Sequence, residues 1–65
     1  MIVLSKTIIQ NKRTIISVDE DFLSMNPKKV RIDGKEYDYH LAYDINNTFM
    51  VDAVIQECNE IEFIT

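Results

Sequence analysis

Residues 28–50, KKVRIDGKEYDYHLAYDINNTFM, read as two successive β-hairpins. Asp33-Gly34 stands between two alternating segments. Such a pair favours a two-residue type I′ turn, because Gly accepts positive φ without a Cβ clash. Counting outward from that turn sets Ile32 opposite Lys35, Arg31 opposite Glu36, Val30 opposite Tyr37 and Lys29 opposite Asp38. Side chains alternate along a strand, so Val30, Ile32, Tyr37, Tyr39, Leu41 and Tyr43 are expected on one face, with Tyr37 and Leu41 largely buried. Lys29, Arg31, Glu36, Asp38 and His40 fall on the other. The cross-strand ion pairs are worth only about 0.2–1 kcal/mol each, yet a one-residue slip would bury the charges, so they specify register.

The second turn is chosen by face matching. A two-residue loop at Asn46-Asn47 would mix the faces, placing Leu41 against Asp52. A three-residue loop, Ile45-Asn46-Asn47, with Asn47 in the left-handed conformation, places Tyr43 against Phe49 and Leu41 against Val51. The three-residue loop is therefore expected.

Upstream, Ile2 to Ile9 and Arg13 to Val18 flank the polar break Gln10-Asn11-Lys12 and form another predicted hairpin. Pairing Ile8 with Ile15 calls for a two-residue loop at Asn11-Lys12. The doublets Ile8-Ile9 and Ile15-Ile16 put apolar groups on both faces of this ribbon, more than one small core covers. Ile9 and Ile16 are thus candidate partner contacts, either for a homodimer through strand addition or for another protein. Asp19 is the expected cap of a short helical turn near residues 19–25, with Val18 and Leu23 as its apolar staple. Phe22 and Met25 are expected to plug the end of the sheet, and Pro27 to stop the turn at Asn26. Residues 52–58 fit either a continued strand or a short helix capped by Asp52, and Val54-Ile55 favours strand. Glu57 to Glu60 then form a turn before a last strand at Ile61 to Ile64.

The chain has 65 residues, enough for a single small β-rich domain over residues 1–65. A chain of that size buries roughly 60% of its unfolded surface, which leaves a thin core. Ile and Val number 15 against three Leu and two Ala, a bias that suits a pleated sheet. The predicted fold is all-β, or β-dominated α+β: a small antiparallel barrel or two-layer sheet of five to six strands with one helical turn.

Net charge is −4, unevenly placed: residues 1–18 carry +3, residues 19–21 carry −3, residues 28–31 carry +3 and residues 33–65 carry −7. The acidic half disfavours unspecific nucleic-acid binding. Cys58 is the single cysteine, so no internal disulfide forms and a reducing interior is the expected setting. Met1 to Leu4 is too short an apolar run for a signal peptide or a membrane span, so a cytoplasmic location is expected and no membrane partner.

Three groups of side chains are candidates for function. Tyr37, Tyr39 and Tyr43 form a possible stacking platform for RNA or single-stranded DNA, with Lys28, Lys29 and Arg31 as its basic companions. The competing account makes the rings the cover of a small core, and Glu36, Asp38 and Asp44 beside them weaken the nucleic-acid account. Asp38-x-His40, with Glu36 and Asp44 nearby, could hold a divalent metal or act as a pH-sensitive contact. With one Cys and one His, however, a structural zinc site is short of ligands, and neither metal nor cofactor is expected. Cys58 lies between Glu57 and Glu60, which discourage a thiolate. No phosphate-cradling glycine loop and no base beside a nucleophile appears, so an enzyme is not expected. The expected role is a non-enzymatic binding or accessory module acting through protein contacts, with Tyr39 and Tyr43 joining Ile9 and Ile16 at the partner surface. A small nucleic-acid-binding barrel is the alternative.

Overall fold

The structure is a computed structural model that describes residues 1–43 and 45–65. Its strands are β1 (Val3–Ile9), β2 (Arg13–Val18), β3 (Lys29–Ile32), β4 (Lys35–Tyr37), β5 (His40–Leu41), β6 (Thr48–Val51) and β7 (Ile61–Ile64). They form two antiparallel sheets, one in the order β1-β2-β6-β5 and the other β4-β3-β7. A 3-10 turn, Phe22–Met25, joins β2 to β3. The β-dominated, two-sheet solution is thus the one adopted. Among the described residues no helix is long and apolar enough to cross a membrane.

The Asp33-Gly34 hairpin has the register its turn chemistry requires: Val30 faces Tyr37, Arg31 faces Glu36 and Ile32 faces Lys35. Asp33 and Gly34 have φ of 48° and 89°, both positive as a type I′ turn demands. The Asp33 carboxylate also accepts the backbone N–H groups of Asn59 and Glu60, so the same turn positions the entry to β7.

The first hairpin departs from expectation by one residue. Ile9 pairs with Arg13, Ile8 with Thr14 and Thr7 with Ile15, around a three-residue loop, Gln10-Asn11-Lys12. Gln10 and Asn11 both take positive φ, and the Lys12 N–H returns to the Ile9 carbonyl at 2.9 Å, which accommodates the extra residue. This register turns Thr14, Ile16 and Val18 into the core and Ile15 and Ser17 away from it. A bulge between Val3 and Ser5 brings Val3 opposite Val18.

Thr14 is fully buried, which an apolar pattern does not predict. Its hydroxyl donates to the Ala53 carbonyl and accepts the Ile55 N–H, at 2.8 and 2.9 Å. Two backbone groups in the segment after β6 thereby find partners without a ladder. Residues 52–58 are consequently neither strand nor helix, and the expected extension of β6 through Val54-Ile55 does not occur. Ile55 is buried all the same.

The helical turn is where it was expected, but Asp21 caps it, accepting the Leu23 N–H at 3.0 Å. Asp19 instead exchanges hydrogen bonds with Ile2 and pins the start of β1. The turn stops at Asn26, in left-handed geometry before Pro27. Phe22 is fully buried as the plug, whereas Met25 is 44% exposed.

The largest correction concerns residues 38–43. The chain leaves the three-stranded sheet after Tyr37 and enters the four-stranded sheet at His40, so no single face runs from Tyr37 to Tyr43. Asp38-Tyr39 is the crossing point, and the Tyr39 ring explains it. That ring lies edge-on to Phe22, Phe49 and Phe63, with centroids 5.8, 6.3 and 6.1 Å away, and its hydroxyl donates to the Pro27 carbonyl at 2.6 Å. Phe22 stacks on Phe63 at 4.3 Å and meets Phe49 edge-on at 5.5 Å. Such pairs contribute about 0.5–1.5 kcal/mol beyond area burial, so this aromatic nucleus reinforces the core of Ile and Val side chains that both sheets share. Beyond it, Leu41 pairs with Phe49 rather than Val51, two residues from the expected register but on the expected face. Leu41 is 48% exposed, not buried, because β5 is a two-residue edge strand with nothing outside it.

Candidate functional site

One end of the four-stranded sheet is organised by backbone hydrogen bonds between loops. Val18 and Asn47 exchange bonds there: the Val18 N–H donates to the Asn47 carbonyl at 2.9 Å, and Asn47 Nδ2 donates to the Val18 carbonyl at 3.0 Å. Asn46 Nδ2 reaches Asp21 Oδ2 at 3.5 Å, and the Ile2 N–H donates to Asp19 Oδ1 at 2.8 Å. These contacts lay the β5–β6 loop, the acidic residues 19–21 and the start of β1 side by side. The loop itself is held by Ala42 and Thr48, both buried; Ile45 donates to the Ala42 carbonyl and Thr48 to the Ile45 carbonyl, each at 3.3 Å.

Large apolar side chains are exposed in the β5–β6 segment and, across the sheet, at the start of the opposite edge strand β1. Tyr43 is 72% exposed, Ile2 65%, and Ile45 and Leu41 each 48%. Tyr43 also has a φ of 60°, a conformation unfavourable for a bulky residue. Among the described residues of the loop, the left-handed one is therefore Tyr43 and not Asn47.

Among the apolar residues singled out from the sequence, Tyr43 is the one the structure displays most openly. Tyr39 is half-buried in the aromatic nucleus. Ile16 is fully buried in the core, so it is Ile15 that faces outward, beside Met50 of β6. Ile9 is half-buried on that same outer face, opposite Arg13. Leu41, Ile45 and Ile2 were not among the sequence candidates; the available signal was an isoleucine inside a stretch already assigned to a turn.

The basic cluster is largely drawn into ion pairs. Lys29 lies 3.8 Å from Asp38, and Arg31 bridges Glu36 and Glu62, contacting Glu36 at 3.2 Å. The Glu36 hydrogen bond first, then the Glu62 charge, push the guanidinium further up from an already high pKa. Lys28 is exposed and Tyr37 half-buried, with Lys35 Nζ 5.5 Å from the centre of the Tyr37 ring. The tyrosines do not form one open row.

His40 pairs with Asp52, Nε2 to Oδ2 at 3.3 Å, and Arg13 approaches the same carboxylate at 3.2 Å. It is thus separated from Asp38 and Glu36, which serve Lys29 and Arg31; Asp44 lies outside the described residues. Among the described residues no group of three or more His, Cys, Asp or Glu side chains is arranged to hold a metal ion. Cys58 is half-buried, and burial first, then the Asp33 charge, push its thiol pKa up against a smaller opposing effect from Lys6. The acidic influence comes from the β-turn rather than from Glu57 and Glu60.

Compared with known proteins, the chain matches no family model, no curated protein and no solved structure.

Proposed function

We propose that this chain is a small non-enzymatic binding or accessory module of the cytoplasm that acts through protein–protein contacts. The observation that carries this reading is the exposure of three large apolar side chains, Leu41, Tyr43 and Ile45, within residues 41–45 of one small domain. Scattered exposed apolar residues are ordinary, but adjoining ones mark interaction sites. The cytoplasmic setting is supported by the single cysteine, which leaves these 65 residues without an internal disulfide. Nucleic-acid binding has less support, since Lys29 and Arg31 are engaged by carboxylates and the Tyr39 hydroxyl by the Pro27 carbonyl.

Crosslinking the tagged chain in extract of its native host, with and without nuclease, tests the reading. A protein recovered equally in both is the expected result. Loss of all adducts on nuclease treatment, together with salt-dependent binding of a single strand, would overturn it in favour of nucleic acid.

A further inference from the structure

We infer that the β5–β6 loop is a docking prong, with Tyr43 and its neighbours Leu41 and Ile45 entering an apolar pocket on a partner protein whose rim carries Lys or Arg. The inference rests on the protein-binding reading and adds the surface and the partner's chemistry. Tyrosine anchors are over-represented where a few residues carry most of an interface's binding energy, and Tyr43 is the most exposed large apolar side chain described. Leu41 and Ile45, each within two residues of it, extend the exposed apolar area along the loop.

Charge decides the occupant. Asp21 lies beside the prong through its contact with Asn46, and Glu20 and Asp19 precede it in the chain. Residues 14–27 contain no Lys or Arg, and neither does any position after Lys35. No ion pair involves Asp19, Glu20 or Asp21 among the described residues; Asp19 and Asp21 accept only backbone or amide N–H groups. The prong is therefore bordered by carboxylates that no described Lys or Arg pairs with. In a two-fold pairing of copies through this end, residue i of one copy meets residue j of the other and the reverse, so both copies would bring the same acid-bearing patch to the interface. A partner with a basic rim removes that repulsion and gains on-rate from it.

The test places a photo-crosslinker, Tyr43→p-benzoylphenylalanine, in the tagged full chain in native-host extract, with Ile9→p-benzoylphenylalanine as the comparison. The expected result is a protein adduct from position 43 only, its crosslinked segment apolar and bordered by Lys or Arg. Its yield should fall severalfold at high salt and with Glu20→Lys, a site whose side chain supports no structural contact described here. With the recovered partner purified, Tyr43→Ala should weaken binding about thirtyfold or more, mainly through faster dissociation, while Ile9→Ser leaves it unchanged. Circular dichroism of each variant confirms that the fold is intact. Adducts from position 9 alone would overturn the prong while leaving protein binding intact. An adduct with a second copy of the chain, or one insensitive to salt and to Glu20→Lys, would overturn the basic-rimmed partner. No adduct at either position would overturn both inferences.

Discussion

The Asp33-Gly34 turn and the β5–β6 loop both connect antiparallel strands through residues at positive φ, yet only the first has a sequence that states its own geometry. At Asp33-Gly34 the turn residues choose the register, and the pairing of Arg31 with Glu36 reinforces it, because a one-residue slip would turn those charges inward. At the β5–β6 loop the unfavourable φ falls on Tyr43, and the register follows from which side chains the core admits: Ala42, Thr48 and Phe49 inside, Tyr43 out. A turn rich in Gly or Asp is a local instruction. A turn with tyrosine at positive φ is a tertiary outcome, and the strain it holds is one the surrounding structure must impose.

If the two regions are joined through the aromatic nucleus, Phe22→Ala should cost the most, about 3–5 kcal/mol in urea unfolding. Phe22 is fully buried and contacts Tyr39, Phe49 and Phe63. A loss below about 1 kcal/mol would mean that the layers are held elsewhere. Thr14→Val is expected next, at about 1–3 kcal/mol, because it strands the Ile55 N–H and the Ala53 carbonyl while preserving side-chain volume. A neutral result would show that water replaces the hydroxyl.

Gly34→Val sharpens the comparison on the hairpin side. Nothing lies within 4 Å of where its Cβ would stand, so the expected loss of more than about 1 kcal/mol is backbone strain alone. A tolerated valine would remove the claim that this turn chooses its own register.

These differences explain what could be read from the sequence. The Asp33-Gly34 register, the bounds of β2, the plug at Phe22 and the last strand were legible because turn chemistry and alternation there point to one answer. The crossing at Asp38-Tyr39 was not, since Tyr37, Tyr39, Leu41 and Tyr43 keep a strand's period straight through the break between sheets. Nor was the inward Thr14, whose place depends on backbone groups some forty residues away, at Ala53 and Ile55. The first hairpin slipped by one because Gln10, not a usual left-handed residue, adopts positive φ. At the candidate site Tyr43 was legible as a residue, but its exposure depends on the unread crossing, and Ile16 and Ile15 exchanged faces with the one-residue shift.

A smaller effect ties the hairpin turn to the segment it anchors. The Cys58 thiol pKa is raised in the folded chain, by burial and then by Asp33, so folding favours its neutral form. That contribution is present below the unfolded thiol pKa of about 8.5 and is lost as pH rises through the folded value. Stability should therefore decline modestly into the alkaline range, and Cys58→Ser should flatten that part of the profile. An unchanged slope in the variant would show that the thiol is not responsible. The same shift predicts slow alkylation of Cys58 at neutral pH, compared with the unfolded chain.

The separation between a self-specified turn and a displayed, strained loop is tested most directly by urea unfolding of Tyr43→Gly. Tyr43 is 72% exposed at a φ of 60°, so glycine removes strain and gives up little burial, against a gain in unfolded-chain freedom. The expected result is a midpoint unchanged or raised, within about 1 kcal/mol, with the same dependence on urea. A loss of about 2 kcal/mol or more, the size of a buried aromatic contribution, would place Tyr43 in the core and contradict the account.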